Sequence, residues 1–486
     1  MSKFYAACEL GAESGRVMLG TLHGQELTIS EVCRFENLPL EEKRSLHWNI
    51  PQLYRGVISG LRMLGQYDEP LNSISCVSWG GDYLLFGPDG SLITPVFHHQ
   101  DPRSLEGMKK VLAKIPWDSI YAETGVQAAP GNTLFQLGTE KARHLARAGC
   151  LLPVADAFNY LLSGVARVEM SSAGTTQLYN PMTGTWSERL LEVAALPPKL
   201  LPIVVRAGTP LGLLRPEVSK DTRLTDARVI AGCSDELASA LAGLPVNRDE
   251  AYAWLRMGPA ALMGSEVPAP LINEAGRDWG FTHQMGWDGA VHFYKQTAGL
   301  WILEECHRSW ENEGRSLDCD LLTHLAGAVS PFESLINLED PRFREPGDMP
   351  LKIQAYCRET GQEVPHKPGP IFRCVLESLA LSYRQTLAEI ETLAGKRITR
   401  LFIMGGAANN LLTHFTANAI EIPVVLVPRD AVALGNILIQ AVAGGHIDSP
   451  EHARDLVRSG FPMETIIPRT GVWNAASERF AQLAAG

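Results

Sequence analysis

Two stretches of this sequence carry one pattern: an apolar strand, a turn of small residues, and a second apolar strand. The first runs from Phe4 to Leu10, turns through Gly11 to Gly15, and continues from Arg16 to Leu22. The second runs from Ala251 to Leu255, turns through Arg256 to Ala260, and resumes from Ala261 to Met263. Small and apolar residues around such turns are a hairpin signal. A hairpin opening each half implies an internal repeat, two related α/β halves enclosing a ligand. At 486 residues the chain is too long for one core, which again predicts two domains. Gly243, Pro245 and Asn247 interrupt the periodicity near 243–248. The boundary is therefore placed there, giving domains at 1–244 and 245–486.

The rest of the pattern is mixed α/β. A third strand is predicted at Leu27 to Phe35, an amphipathic helix at Ile50 to Leu64, and an apolar strand at Ile74 to Trp79. Residues 104 to 165 read as mainly helical. In the second half a helix is predicted at Ile371 to Leu393, with strands at Arg400 to Met404 and Ile422 to Val427; the tail from about Ile447 reads as helical. A formal charge of −11 offers no basic stripe for nucleic acid. Glu9 breaks the only early apolar stretch, and neither a signal peptide nor a bilayer-length span is expected. Nine scattered cysteines without CxxC pairs fit the reduced thiols of a cytoplasm. The adjacent pair His98-His99 reads as a loop or strand end rather than a metal site.

Asp235 stands between the apolar run Val229-Ile230-Ala231-Gly232 and a helical stretch from Leu237 to Gly243. A carboxylate at a helix start sits where backbone N–H groups gather anions. Near the midpoint of a two-domain chain, such a group suits proton abstraction from a hydroxyl during phosphoryl transfer. Helix capping alone would also place an Asp there. Three turns offer main-chain N–H groups to phosphates: Gly11 to Gly15 with Ser14 and Arg16 as side-chain donors, Arg256 to Ala260, and Gly405-Gly406 after a strand. None matches the Walker or the dinucleotide pattern, so neither a P-loop enzyme nor a Rossmann dehydrogenase is indicated.

Taken in order, these features resemble the FGGY carbohydrate kinases, and within them the rhamnulokinase branch. The segments that carry the likeness are ELGAESGRVMLG from Glu9, SWGGDYLLF from Ser78, TTQLYNPMTGTW from Thr175 and KQTAGLWILEE from Lys295. LEDPRF from Leu338, IQAYCRETGQEVP from Ile353, ESLALSY from Glu377 and ALGNILIQA from Ala433 complete the series. The resemblance implies two ribonuclease-H-like domains of actin type around a cleft that takes ATP, magnesium and a ketose or polyol. It implies Asp235 as the base that takes the proton of the sugar's primary hydroxyl. Ala12, Glu13, Ser14, Gly15 and Arg16 match the first phosphate loop, and Glu9 the magnesium-side carboxylate. Gly258 and Pro259 match the second phosphate turn, Gly405 and Gly406 the adenine-side turn, and Glu304 a nucleotide-facing position. Gly80, Asp82, Ser234, Glu236 and Gln296 match sugar-facing positions. Many relatives dimerise, so the likeness also leaves room for a homodimer.

Several matched positions depart from the family pattern. Glu9 stands where Asp is usual, one methylene longer but still a carboxylate that reaches magnesium through water. Ser234 replaces a His, and Glu236 replaces a Thr, placing a second carboxylate beside the base. Glu304 replaces a Gln and Asn418 an Asp. At Pro259 the usual Thr is lost, and with it both a hydroxyl and a backbone N–H. One charge-assisted phosphate contact is worth about 1.5–3 kcal/mol. Arg256 offers a guanidinium in its place. Two alternatives to an ATP-dependent sugar kinase follow from these changes: a sugar- or nucleotide-binding regulator without turnover, and a kinase using pyrophosphate or ADP.

Overall fold

In the computed structural model of the chain, which describes residues 2–247, 250–405, 410–469 and 471–485, the first hairpin pairs from Lys3 opposite Leu22 to Leu10 opposite Gly15. The turn is tighter than the sequence suggests. Strand Ser14–His23 already begins at Ser14, because the Gly11 N–H donates to the Ser14 carbonyl at 2.9 Å. Glu26–Glu36 adds a third antiparallel strand. On the other side, Lys3–Leu10 pairs in parallel with Ser73–Ser78, which pairs in parallel with Arg228–Ala231. Strand Thr209–Leu213 closes the six-stranded sheet. The strands in the middle are buried along nearly their whole length, the pattern of a sheet covered on both faces. Helix Ile50–Leu64 packs on one side of the hairpin with Leu53, Val57, Leu61 and Leu64 inward.

The chain divides into two compact units that are not simple halves. The first comprises Met1–Arg248, Val267–Phe293 and Asp430–Pro462; the second comprises Asp249–Glu266, Tyr294–Arg429 and Met463–Gly486. Helix Ala431–Ala443, which contains the ALGNILIQA segment, therefore belongs to the first unit. Its Leu434, Ile437 and Leu438 join Tyr5, Ala7 and Met18 in one apolar cluster. Gly435 lets this helix press against helix Glu236–Ala242: a Cβ there would lie 1.7 Å from the Ser239 carbonyl oxygen. The polar residues of the same helix are all used. Gln440 accepts from Ser73 Oγ at 2.7 Å and donates to the Ala6 carbonyl at 3.0 Å, and Asn436 donates to Ser75 Oγ at 3.1 Å. Buried polar groups matched in this way lock one packing arrangement.

The second unit repeats the opening. Tyr252–Arg256 pairs antiparallel with Ala260–Val267 and in parallel with Arg400–Met404. Val424–Leu426 continues the parallel run and Thr465–Ile466 closes that edge antiparallel. The 27-residue helix Pro368–Ala394 packs against the helices Cys319–Gly327 and Asn410–Ile420. All nine cysteines are free thiols. Among the described residues, no helix is long and apolar enough to cross a membrane.

Candidate active site

Asp235 is the N-cap of helix Glu236–Ala242. Its Oδ1 accepts from the N–H groups of Leu237 at 2.9 Å and Ala238 at 3.2 Å, and the residue is 6% exposed. Charge at a helix N-terminus is stabilised by these N–H groups and the dipole, so the carboxylate is held in one orientation. Both readings of Asp235 are thus compatible: the two cap bonds fix the carboxylate through Oδ1. The main chain at this position is fixed as well. The Asp235 N–H donates to Ser171 Oγ at 3.0 Å, and the Ser78 N–H donates to the Ser234 carbonyl at 2.9 Å.

Ser234, matched to a sugar-facing position, turns its hydroxyl inward. It is 1% exposed, and its Oγ donates to Asp156 Oδ1 at 2.7 Å. Gly80 lies beside Thr175, where a Cβ would come within 2.9 Å of both Thr175 Cβ and Oγ1. That close approach explains a glycine in the SWGGDYLLF segment. Asp82 is buried and surrounded by donors. Its Oδ2 accepts from Trp48 Nε1 at 2.7 Å and Trp79 Nε1 at 2.8 Å and lies 2.8 Å from His99 Nδ1; its Oδ1 accepts from Gln136 Nε2 at 2.9 Å. A carboxylate only accepts, so His99 carries its proton on Nδ1. Asp82 therefore acts by arranging two indoles and an imidazole, with Trp48 stacked on His98 at 4.1 Å between centroids. The pair His98-His99 sits in a turn region, as read from the sequence, but the part it plays beside Asp82 had no signal there beyond two adjacent histidines.

The first phosphate loop shows Ala12 and Glu13 exposed at its tip. Asn37 pins the loop from behind: its N–H donates to the Glu13 carbonyl at 3.0 Å and its Nδ2 to the Gly11 carbonyl at 2.8 Å. Gly15 is buried under Phe35, which leaves no room for a Cβ. Arg16 is tied by Glu9 through a close Nε–Oε2 contact and donates from Nη1 to Asp430 Oδ1 at 2.7 Å. Glu9, Ser14, Arg16, Arg34 and Glu236 line one small pocket of about 70 Å³. Burial pushes the Glu9 carboxyl up against the pull of Arg16, and Asp430 and Glu236 push the same way. Glu9 Oε1 is buried without a hydrogen-bond partner. This unmet oxygen, with the Asp430 and Glu236 carboxylates near it, fits a hard divalent cation. Among the described residues no cluster of three metal-ligating side chains exists. Magnesium needs none, because one or two carboxylates, water and substrate phosphates suffice.

In the second unit the turn Met257-Gly258-Pro259 is built by main-chain bonds. The Met257 N–H donates to the Met404 carbonyl at 2.9 Å, and the carbonyls of Gly258 and Pro259 accept from Leu300 at 2.8 Å and Trp301 at 3.1 Å. Pro259 and Gln296 line a cavity of about 600 Å³ with Trp301, Leu338 and Phe343. Glu304, in the first turn of helix Trp301–Asn312, lines a separate, mostly apolar cavity of about 680 Å³ with Leu303, Leu322, Phe372 and Asn410. Gly405 adopts φ +117, and a Cβ there would meet the Met257 carbonyl at 2.5 Å, so this position demands glycine. Gly406 lies outside the described residues. The structure thus gathers Glu9, Ala12 to Arg16, Gly80, Asp82 and Ser234 to Glu236 in the first unit, and Gly258, Pro259, Gln296, Glu304 and Gly405 in the second.

Sequence reasoning missed two buried acids behind Asp235. Asp156 and Glu169 are 3% and 1% exposed. Their one available signal was a carboxylate inside an apolar run, as in Leu151 to Leu162.

Comparisons with known proteins give the family and the fold. Residues 6–242 match the N-terminal domain and residues 254–444 the C-terminal domain of the FGGY family of carbohydrate kinases. A rhamnulokinase from Bacteroides thetaiotaomicron is 37% identical over 485 residues, covering 99% of both chains. A rhamnulokinase from Enterococcus faecalis is 33% identical over 95% of this chain and 93% of its own. Among solved structures, a ligand-bound xylulose kinase from Lactobacillus acidophilus superposes with a TM-score of 0.83 at 14% identity, covering 99% of this chain and 96% of its own. Glycerol kinase from Plasmodium falciparum with ADP reaches 0.81 at 13% identity, covering 99% and 96%. At that identity the likeness concerns the fold, two sheet-containing domains of ribonuclease-H type.

Proposed function

We infer the reaction from one premise: this chain belongs to the FGGY family of carbohydrate kinases. It is a sugar kinase, with ATP and a sugar as its substrates. We propose that the sugar is L-rhamnulose or a closely related ketose, and that its primary hydroxyl is the acceptor. The observation that carries this choice is full-length identity of 37% to a rhamnulokinase. No feature of the site favours a regulator without turnover.

In the proposed mechanism, the unit that holds Asp235 presents the sugar and the base, and the unit that holds Pro259 and Glu304 presents the nucleotide. The hydroxyl oxygen attacks the γ-phosphorus, the bond to the β–γ bridging oxygen breaks, and ADP leaves. Asp235 takes the hydroxyl proton. Its placement at the end of helix Glu236–Ala242 keeps it fixed while charge moves. Asp82 orders Trp79 and His99 as a wall beside Gly80, a surface suited to a sugar's apolar face and hydroxyls. Ala12 and Glu13 offer main-chain N–H groups to phosphate. Glu304 and the apolar cavity beside it are the proposed seat of the adenine. Magnesium, when bound, would neutralise charge on the transferring phosphates, and Glu9 is the residue proposed to hold it, through water. Ser234 contributes through its inward hydrogen bond and Glu236 through its charge beside the phosphate loop.

The test is ADP release with ATP and magnesium across ketoses, aldoses and polyols. L-Rhamnulose should give the highest kcat/KM. A higher value for another sugar would reassign the substrate, and release that needs no sugar would remove the kinase reading.

A further inference from the structure

Glu169 ends the short strand Val168–Glu169 and caps helix Met170–Thr175. Its Oε2 collects three donors: Ser171 N at 2.9 Å, Ser171 Oγ in a short contact, and Ser234 N at 2.9 Å. Asp156, on helix Val154–Ser163, accepts from Ser234 Oγ at 2.7 Å, from Glu169 N at 3.2 Å and from Ser172 Oγ in a short contact. Ser234 thus bridges the two acids, its N–H on one and its hydroxyl on the other. Ser171, held twice by Glu169, receives the Asp235 N–H at 3.0 Å. Every link from Glu169 to the Asp235 main chain is a buried hydrogen bond. Glu169 Oε1 is buried with no partner, and neither acid forms an ion pair among the described residues. An anion would leave that oxygen charged and unmet. A neutral carboxyl leaves only an unmet O–H, a smaller penalty.

We propose that Glu169 is a positioning residue for phosphoryl transfer, protonated at Oε1 while its Oε2 fixes Ser171 and Ser234 and so sets the main chain of Asp235. The proposal rests on Asp235 being the base. Burial supports the proton: it pushes the Glu169 carboxyl up to about 8 and the Asp156 carboxyl up to about 7, against the hydrogen bonds that pull both down. Other titratable groups around the pair are Cys233 and Asp235 from the Asp235 loop, Cys76 from strand Ser73–Ser78, and Tyr179. Contact with Cys8 and then burial raise the Cys76 thiol, and burial raises the Cys233 thiol and the Tyr179 phenol, which keeps them neutral as the pair ionises. Loss of the pair's protons above neutral pH brings negative charge against Asp235, which opposes the build-up of charge in transfer.

The experiment compares wild type, Glu169→Gln and Glu169→Ala in the full chain across pH. Glutamine stands in for the neutral acid: its carbonyl oxygen accepts in place of Oε2, and its uncharged NH2, with two donor hydrogens, takes the place of the Oε1 hydroxyl. Glu169→Gln should keep most of kcat and show a shallower alkaline decline than the one expected of wild type, since only Asp156 still titrates there. Glu169→Ala should lower kcat by about 10–100-fold, the effect of a small misplacement of a reacting group, with both KM values changed less than twofold. Amide hydrogen exchange at residues 233–238 should speed up in Glu169→Ala, a readout that does not depend on which group is the base. An inactive Glu169→Gln that still folds, or one with an unchanged alkaline decline, would overturn the proposal. If Glu169→Ala fails to fold, the pH profile of Glu169→Gln decides. Full activity of Asp235→Asn would instead remove the base assignment, leaving the exchange result to judge the mooring.

Discussion

The Asp235 region and the Met257-Gly258-Pro259 turn are both matched to phosphoryl transfer, yet they are built in opposite ways. Around Asp235, side chains dominate: Ser171, Ser234, Asp156 and Glu169 form a buried network that positions one carboxylate. At the second turn, main-chain bonds dominate, and the carbonyls of Gly258 and Pro259 are spent on the start of helix Trp301–Asn312. A site made of side chains depends on residue identity. A site made of backbone tolerates replacement as long as the path of the chain survives. Proline at 259 keeps that path and removes donors only, which is why the substitution is compatible with a kinase.

The sharpest way to break this comparison is Asp235→Asn. It should lower kcat by about 10²–10⁴-fold, the usual range for loss of a general base, while calorimetry shows sugar affinity within a few-fold of wild type. A small effect would mean that the side-chain network serves folding alone. Next in size is Glu9→Gln, which should raise the magnesium concentration for half-maximal activity by about 10–100-fold. An unchanged magnesium dependence would place the cation elsewhere.

These side chains differ in how readable they were. Helix Ile50–Leu64 and strand Arg400–Met404 follow directly from apolar spacing, and Asp235 was legible as a cap because it stands between a strand pattern and a helix pattern. Both hairpins were legible for the same local reason. Asp156 and Glu169 were not, because their meaning depends on Ser171, Ser172 and Ser234 arriving from distant segments. The return of Val267–Phe293 and Asp430–Pro462 to the first unit was equally hidden. Helix Ala431–Ala443 reads as an ordinary apolar helix, and contacts with distant segments, the close approach of Gly435 to Ser239 among them, show what it covers. The turn Gly11 to Gly15 was overestimated in length, since small residues serve a strand under Phe35 as well as they serve a turn.

The backbone-built turn offers a smaller, opposite effect. Pro259→Thr returns a hydroxyl and an N–H, and should lower the KM for ATP by about tenfold, the low end of the worth of one charge-assisted phosphate contact. Steady-state kinetics at saturating sugar reads this directly, and no change would mean that residue 259 does not meet phosphate.

The smallest expected effect concerns stability. Asp156 and Glu169 have carboxyls raised in the folded chain to about 7 and about 8, above about 4 in an unfolded one. The folded state then binds more protons than the unfolded state, so the contribution is fully present below about pH 4 and is lost as pH rises through 7 to 8. Thermal unfolding should show Tm falling over that window, and Asp156→Asn should flatten the fall. A Tm that rises with pH in Asp156→Asn and wild type alike would contradict buried neutral acids.

The most direct test of the account is single-turnover transfer with γ-labelled ATP, magnesium and L-rhamnulose. The account predicts that the label appears on the sugar's primary hydroxyl in the wild type and that Asp235→Asn, binding the sugar equally well, transfers almost none. Label released only as inorganic phosphate, or transfer at the same rate in both proteins, would contradict it.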